Sequence, residues 1–115
     1  TPSPTTAFGS INGTVVKDLN ANGRRDPGEP GVANATVQLW QSGSLLSWQI
    51  TGDSGTFAFN DLLPGTYNLR EIDPPGYWSS SPNDSPLLMV ISGATTTHNF
   101  FDVPYNYVYL PVLLR

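Results

Sequence analysis

Residues 34–51 read NATVQLWQSGSLLSWQIT, and the order of side chains in this stretch decides the fold class. Ala35, Val37 and Leu39 alternate with Thr36, Gln38 and Trp40, a period of two that puts an apolar face on one side of an extended strand. Ser42-Gly43-Ser44 interrupts the pattern with turn-forming residues, and Leu45 to Thr51 resumes it, so the two runs predict an antiparallel hairpin.

Working outward, the same signals recur on both sides. Residues 8–17 (FGSINGTVVK) predict a first strand, followed by a polar stretch from Asp18 to Gly31. Downstream, Thr56 to Asn60 aligns Phe57 with Phe59, and Gly65 to Ile72 aligns Tyr67 with Leu69, with Pro64-Gly65 between them. Asp73-Pro74-Pro75-Gly76 predicts a rigid corner. Leu87 to Ser92 is a continuous apolar run, and Thr95 to Val103 predicts one further strand. No segment carries a helical stripe of useful length. Seven or eight short strands separated by turns about 8 to 12 residues apart predict an all-β antiparallel sandwich or small barrel.

Composition limits what such a sandwich can do. The chain has 115 residues, enough for one core, with no Cys and a single His. Thiol chemistry is thereby excluded. Five Lys and Arg against nine Asp and Glu give a net charge of −4, and only 12% of residues are charged. A phosphate-backbone binder needs clustered cations, so nucleic acid is an unsuited partner. No apolar run reaches the length of a membrane-spanning helix. The Thr/Ser/Pro-rich residues 1–8 read as the mature start of an exported chain, an expectation that places the protein outside the cell or on its surface.

Chemistry concentrates in the polar stretch. Asp18-Leu19-Asn20-Ala21-Asn22-Gly23-Arg24-Arg25-Asp26-Pro27-Gly28-Glu29 agrees with the twelve-residue calcium loop at positions one, three, five, six, nine and twelve. Calcium takes six to eight hard oxygens, which requires short oxygen-bearing side chains alternating along a tightly curved backbone. This spacing predicts side-chain ligands from Asp18, Asn20 and Asn22, the backbone carbonyl of Arg24, a direct or water-mediated contact from Asp26, and a bidentate Glu29. The same residue types also make turns that hold no metal. Pro30-Gly31 directly after Glu29 stops an exiting helix, so the loop sits between strands and not between the helices of an EF-hand.

With those residues in place, positions 10–103 resemble the SdrD B-like repeat of bacterial surface proteins, a relative of the Cna B-type, prealbumin-like sandwich. The resemblance rests on Gly13-Thr14-Val15, Asp18 to Glu29, Pro30-Gly31-Val32, Ala35 to Leu39, Thr51 to Gly55, Phe57-Ala58-Phe59, Leu63 to Tyr67, and Glu71 through Gly76-Tyr77. It implies an extracellular module stiffened by calcium and used in a stalk, fibre or adhesin, without catalysis. Some Cna B-type relatives form an internal amide bond between Lys and Asn promoted by a buried Glu. Glu71 and Asn99 stand in suitable places here, but the one lysine, Lys17, adjoins Asp18 several residues beyond the position such relatives use, near Gly13. Strand parity turns Glu71 inward with Tyr67 and Leu69, where a carboxylate is expected to bond backbone or Arg groups.

Enzyme readings are weak. His98 has no nucleophile-elbow partner, and Asp53, Asp61, Asp73 and Asp84 occupy turns. Trp40, Trp48 and Trp78 invite comparison with a sugar-stacking platform, although cross-strand packing uses Trp in the same way. Beyond the sandwich (9–103), residues 104–115 place Tyr105, Tyr107 and Tyr109 opposite Val108, Leu110, Val112 and Leu114. A strand apolar on both faces has to be paired and covered, by its own domain or by a neighbouring copy. The expected function is therefore a calcium-stabilised subunit of a homopolymeric surface fibre, self-associating through Tyr105–Arg115 and the N-terminal segment. A spacer in a larger adhesin, or a module that binds surface glycans, is the alternative.

Overall fold

The computed structural model describes residues 8–24 and 26–104. Nine strands run through them: β1 (Gly9–Lys17), β2 (Thr36–Gln41), β3 (Ser44–Ile50), β4 (Thr56–Leu62), β5 (Gly65–Ile72), β6 (Tyr77–Ser79), β7 (Leu88–Val90), β8 (Thr95–Thr97) and β9 (Phe100–Pro104). No helix occurs among the described residues.

The hairpin that opened the reading forms as expected. β2 and β3 pair antiparallel from Thr36–Ile50 to Gln41–Ser44. Ser42 and Gly43 turn the chain with φ of 51° and 80°, the two positive values of a tight turn that matches strand twist. Val37 and Leu39 are buried, while Gln38 and Trp40 are half-exposed on the other face.

The strands make two sheets. One has the order β3-β2-β5-β7; the other runs β4-β1-β9-β6, with β8 also paired to β1. Between them lies the apolar core, including Ile11, Val15, Val37, Leu39, Phe57, Phe59, Leu69, Val90 and Phe100. The apolar run at 87–92 is narrower as a strand than as a sequence: Leu88 and Val90 point inward, while Leu87, Met89 and Ile91 are exposed.

β1 organises the second sheet. Its first half pairs antiparallel with β4 and parallel with β8, and its second half pairs parallel with β9 at Val15–Phe100 through Lys17–Asp102. The single strand expected over 95–103 is thus two, broken at His98-Asn99. The break is local: the Asn99 side chain accepts the Thr14 amide at 2.9 Å, and the His98 amide donates to the Asn12 carbonyl. Gly13 lies where this crossing is tightest. A Cβ there would fall 1.7 Å from the His98 carbonyl oxygen.

The polar stretch leaves the sheet after Lys17 and returns beside it. The Lys17 amide donates to Pro30 O at 2.7 Å, the Val32 amide donates to Val15 O, and Val16 bridges to Gly31. Both feet of the loop are therefore hydrogen-bonded to β1. That leaves the residues between them to curve around their own polar groups.

Candidate metal centre

Asp18 and Glu29 close the loop from its two ends, and both are buried. The Glu29 carboxylate receives the Leu19 amide at 3.0 Å on one oxygen and the Asp26 amide at 2.9 Å on the other. The Asp18 carboxylate receives the Asn22 amide at 3.2 Å, the Gly23 amide at 2.7 Å and the Ser80 hydroxyl at 2.5 Å. Asp26 accepts the side-chain amides of Asn20 and Asn22 at 3.0 and 2.6 Å. Those two hydrogen bonds, Asn20 first, hold its carboxyl below the usual carboxylate range, with Arg24 adding attraction. Ala21 and Gly23 take the left-handed backbone, with φ of 57° and 74°.

Five of the six predicted ligand residues, Asp18, Asn20, Asn22, Asp26 and Glu29, are thus brought into one connected ring. Arg24 is exposed at its edge, its amide donating to Asn22 Oδ1 at 3.1 Å. The fit to calcium can be judged from the donors themselves. Three carboxylates and two amide oxygens make a purely oxygen set, two of the carboxylates are withdrawn from water, and no Lys or Arg pairs with them among the described residues. These residues suit a hard divalent cation.

The loop is bolted to the sheet behind it. The Asp18 amide donates to Asp102 O at 2.7 Å, and Ser80, whose hydroxyl reaches Asp18, donates its amide to Phe101 O. β1, β9 and the segment after β6 therefore meet at Asp18. The sequence offered no signal for Ser80 or Asp102, which lie far from the loop along the chain.

Glu71 is turned inward, as parity requires, but its surroundings differ from the expectation. It bonds neither backbone nor Arg through its carboxyl; both side-chain oxygens lack a hydrogen-bond partner. Its neighbours are Asp73 and Asp102, so burial, aided by those two negative groups, pushes its carboxyl up to about 11. Burial likewise raises Asp102 to about 6. Arg70, next to Glu71 in sequence, points to the opposite face of β5 and pairs with Asp84 at 2.8 Å.

The amide-bond arrangement of Cna B-type relatives is not assembled. Lys17 Nζ lies 5.9 Å from the centroid of the Tyr77 ring, Asn99 is engaged with Thr14, and Gly13 has no room for a side chain. His98 is half-buried with its ring edge-on to Phe100 at 4.9 Å, and burial lowers its pKa. The three tryptophans do not share one surface: Trp48 stands opposite Gln38, to which the Trp40 indole donates, in the β3-β2-β5-β7 sheet, while Trp78 lies in the other. Residues 1–7 and the tail Tyr105–Arg115, with its expected pairing strand, lie outside the described residues.

Comparison with known proteins agrees with this architecture. The chain is 35% identical over 83 residues to Colossin-B of Dictyostelium discoideum, covering 64% of this chain and 2% of that protein. It is 33% identical over 84 residues to the bone sialoprotein-binding protein of Staphylococcus aureus, covering 72% of this chain and 7% of that protein. The chain therefore spans only a small part of the relatives it matches. Among solved structures, the minor pilin GBS52 of Streptococcus agalactiae superposes with a TM-score of 0.63 at 16% identity, covering 85% of this chain and 45% of that one. The shaft pilin SpaA of Lactobacillus rhamnosus GG gives 0.62 at 11% identity, covering 87% and 52%. At such identities the likeness is one of fold. The model of the SdrD B-like domain matches residues 9–100, nearly the whole described sandwich, and the chain belongs to that family.

Proposed function

We propose that this protein is a structural module of an extracellular fibre or stalk, held rigid by calcium in the Asp18–Glu29 loop. The observation that carries the reading is the pair of buried carboxylates, Asp18 and Glu29, at the two feet of one loop, with no cationic side chain paired to either among the described residues. A cation held there would fasten the loop to β1, and through Asp18 to β9 and the segment after β6. The module would then resist bending at this end. Its membership of a family found in much longer proteins, and its likeness to pilin domains, support a load-bearing role. The apolar segment 104–115 supports self-association between copies.

Thermal melting with and without chelator tests the metal. At a calcium concentration about a hundredfold above Kd, binding to the folded state alone adds about 2.7 kcal/mol, on the order of 10 °C in a domain of this size. Glu29→Gln should remove the share of that rise that the loop contributes. An unchanged melting temperature on chelation would overturn the calcium reading.

A further inference from the structure

Glu71 from β5, Asp73 from the turn after it and Asp102 from β9 bring one carboxylate oxygen each within 4.8 Å of the others. Glu71 is 1% exposed and Asp102 is fully buried. Both oxygens of Glu71 and Oδ2 of Asp102 have no hydrogen-bond partner. Ser79 Oγ stands 2.6 Å from Asp73 Oδ1 and 3.1 Å from Asp102 Oδ1, and also contacts Asn83 Oδ1. One hydroxyl hydrogen cannot serve all of these acceptors. The single ion pair among the described residues, Arg70–Asp84, lies elsewhere, and Lys17 is turned to Tyr77. Acceptors so outnumber donors here that the buried oxygens call for a proton or a metal ion among them.

We propose that Glu71, Asp73 and Asp102 hold a second calcium ion between the two sheets, with Ser79 Oγ and Asn83 Oδ1 as neutral donors. The donor set is oxygen throughout, which selects a hard cation over zinc or copper. Calcium accepts an irregular set of carboxylate and carbonyl oxygens, whereas magnesium demands near-octahedral geometry and keeps several waters, so calcium suits this mixed group better. Because Glu71 belongs to the β3-β2-β5-β7 sheet and Asp102 to the other, the ion would link the two layers directly. None of the six loop residues takes part, although the Asp18 amide bonds the Asp102 carbonyl and sets the two sites side by side.

Equilibrium dialysis of the full chain against radiolabelled calcium separates this site from the loop. The wild-type chain should bind two equivalents, Glu71→Gln and Asp73→Asn one each, and Asp18→Asn/Glu29→Gln the complementary one. Asp73 is only half-buried, so Asp73→Asn decides the outcome if Glu71→Gln does not fold. Binding lost on Glu71→Gln or Asp73→Asn but kept in the loop variant supports the inner site even where the loop reading fails. Wild-type stoichiometry in folded Glu71→Gln and Asp73→Asn chains, or a single equivalent abolished by the loop variant alone, overturns it.

Discussion

At the scale of single residues, Glu71 is the most unusual group in the sandwich. Its parity along β5 made an inward side chain legible, because β5 alternates strictly at Tyr67, Leu69 and Glu71. What surrounds it was not legible, since Asp102 arrives from a strand far along the chain. Without a bound cation, burial and the neighbouring acids favour the proton-bound form of Glu71. A folded-state pKa raised to about 11 from 4.5 means that the folded chain holds a proton the unfolded chain releases. The stabilisation is complete below about pH 4.5 and is lost progressively as pH rises from there towards 11. Asp102, raised to about 6, acts in the same direction over its lower window. In chelator, the urea midpoint should therefore fall between pH 4 and pH 8, and Glu71→Gln should flatten that fall. A midpoint that rises over this range in the wild-type chain would contradict the protonated state.

Among the elements, the first strand is the most constrained. Gly13 passes so close to the His98 carbonyl that any Cβ must move backbone. Gly13→Ala should cost about 3 kcal/mol, read as a lower urea midpoint at unchanged slope, whereas Gly43→Ala, at a turn with open space, carries only the strain of its positive φ. The same crossing explains why Thr95 to Val103 reads as one strand and folds as two. Period and composition do not change at His98-Asn99; the break comes from Asn99 filling a β1 hydrogen-bond position with its side chain. β6 escaped prediction because three residues after a Pro-Gly corner carry no periodicity of their own, and only pairing with β9 makes them a strand. The loop was the reverse case: its hydrogen-bonded ring joins residues that lie close together in the chain, from Asp18 to Glu29.

For the whole molecule, assembly is the property that the sandwich alone leaves open. The described surface still shows large apolar side chains, with Trp48, Ile50, Leu87 and Met89 well exposed. The tail beyond β9 adds more in sequence. Removing residues 105–115 should leave a folded chain that sediments as a monomer at concentrations where the intact chain associates. Equal association with and without the tail would remove it from the contact. The all-β class, the hairpin at 34–51, the inward faces and the oxygen-rich loop were determined by sequence alone, because each depends on residues close together in the chain, where period and turn chemistry act directly. Only the tertiary structure decided the division into two sheets, the split of the last strand, Ser80 on Asp18, and the meeting of Glu71, Asp73 and Asp102. Those contacts join residues from separate strands, and their energies come from burial and unpaired charge, quantities that exist only once the two layers close on each other.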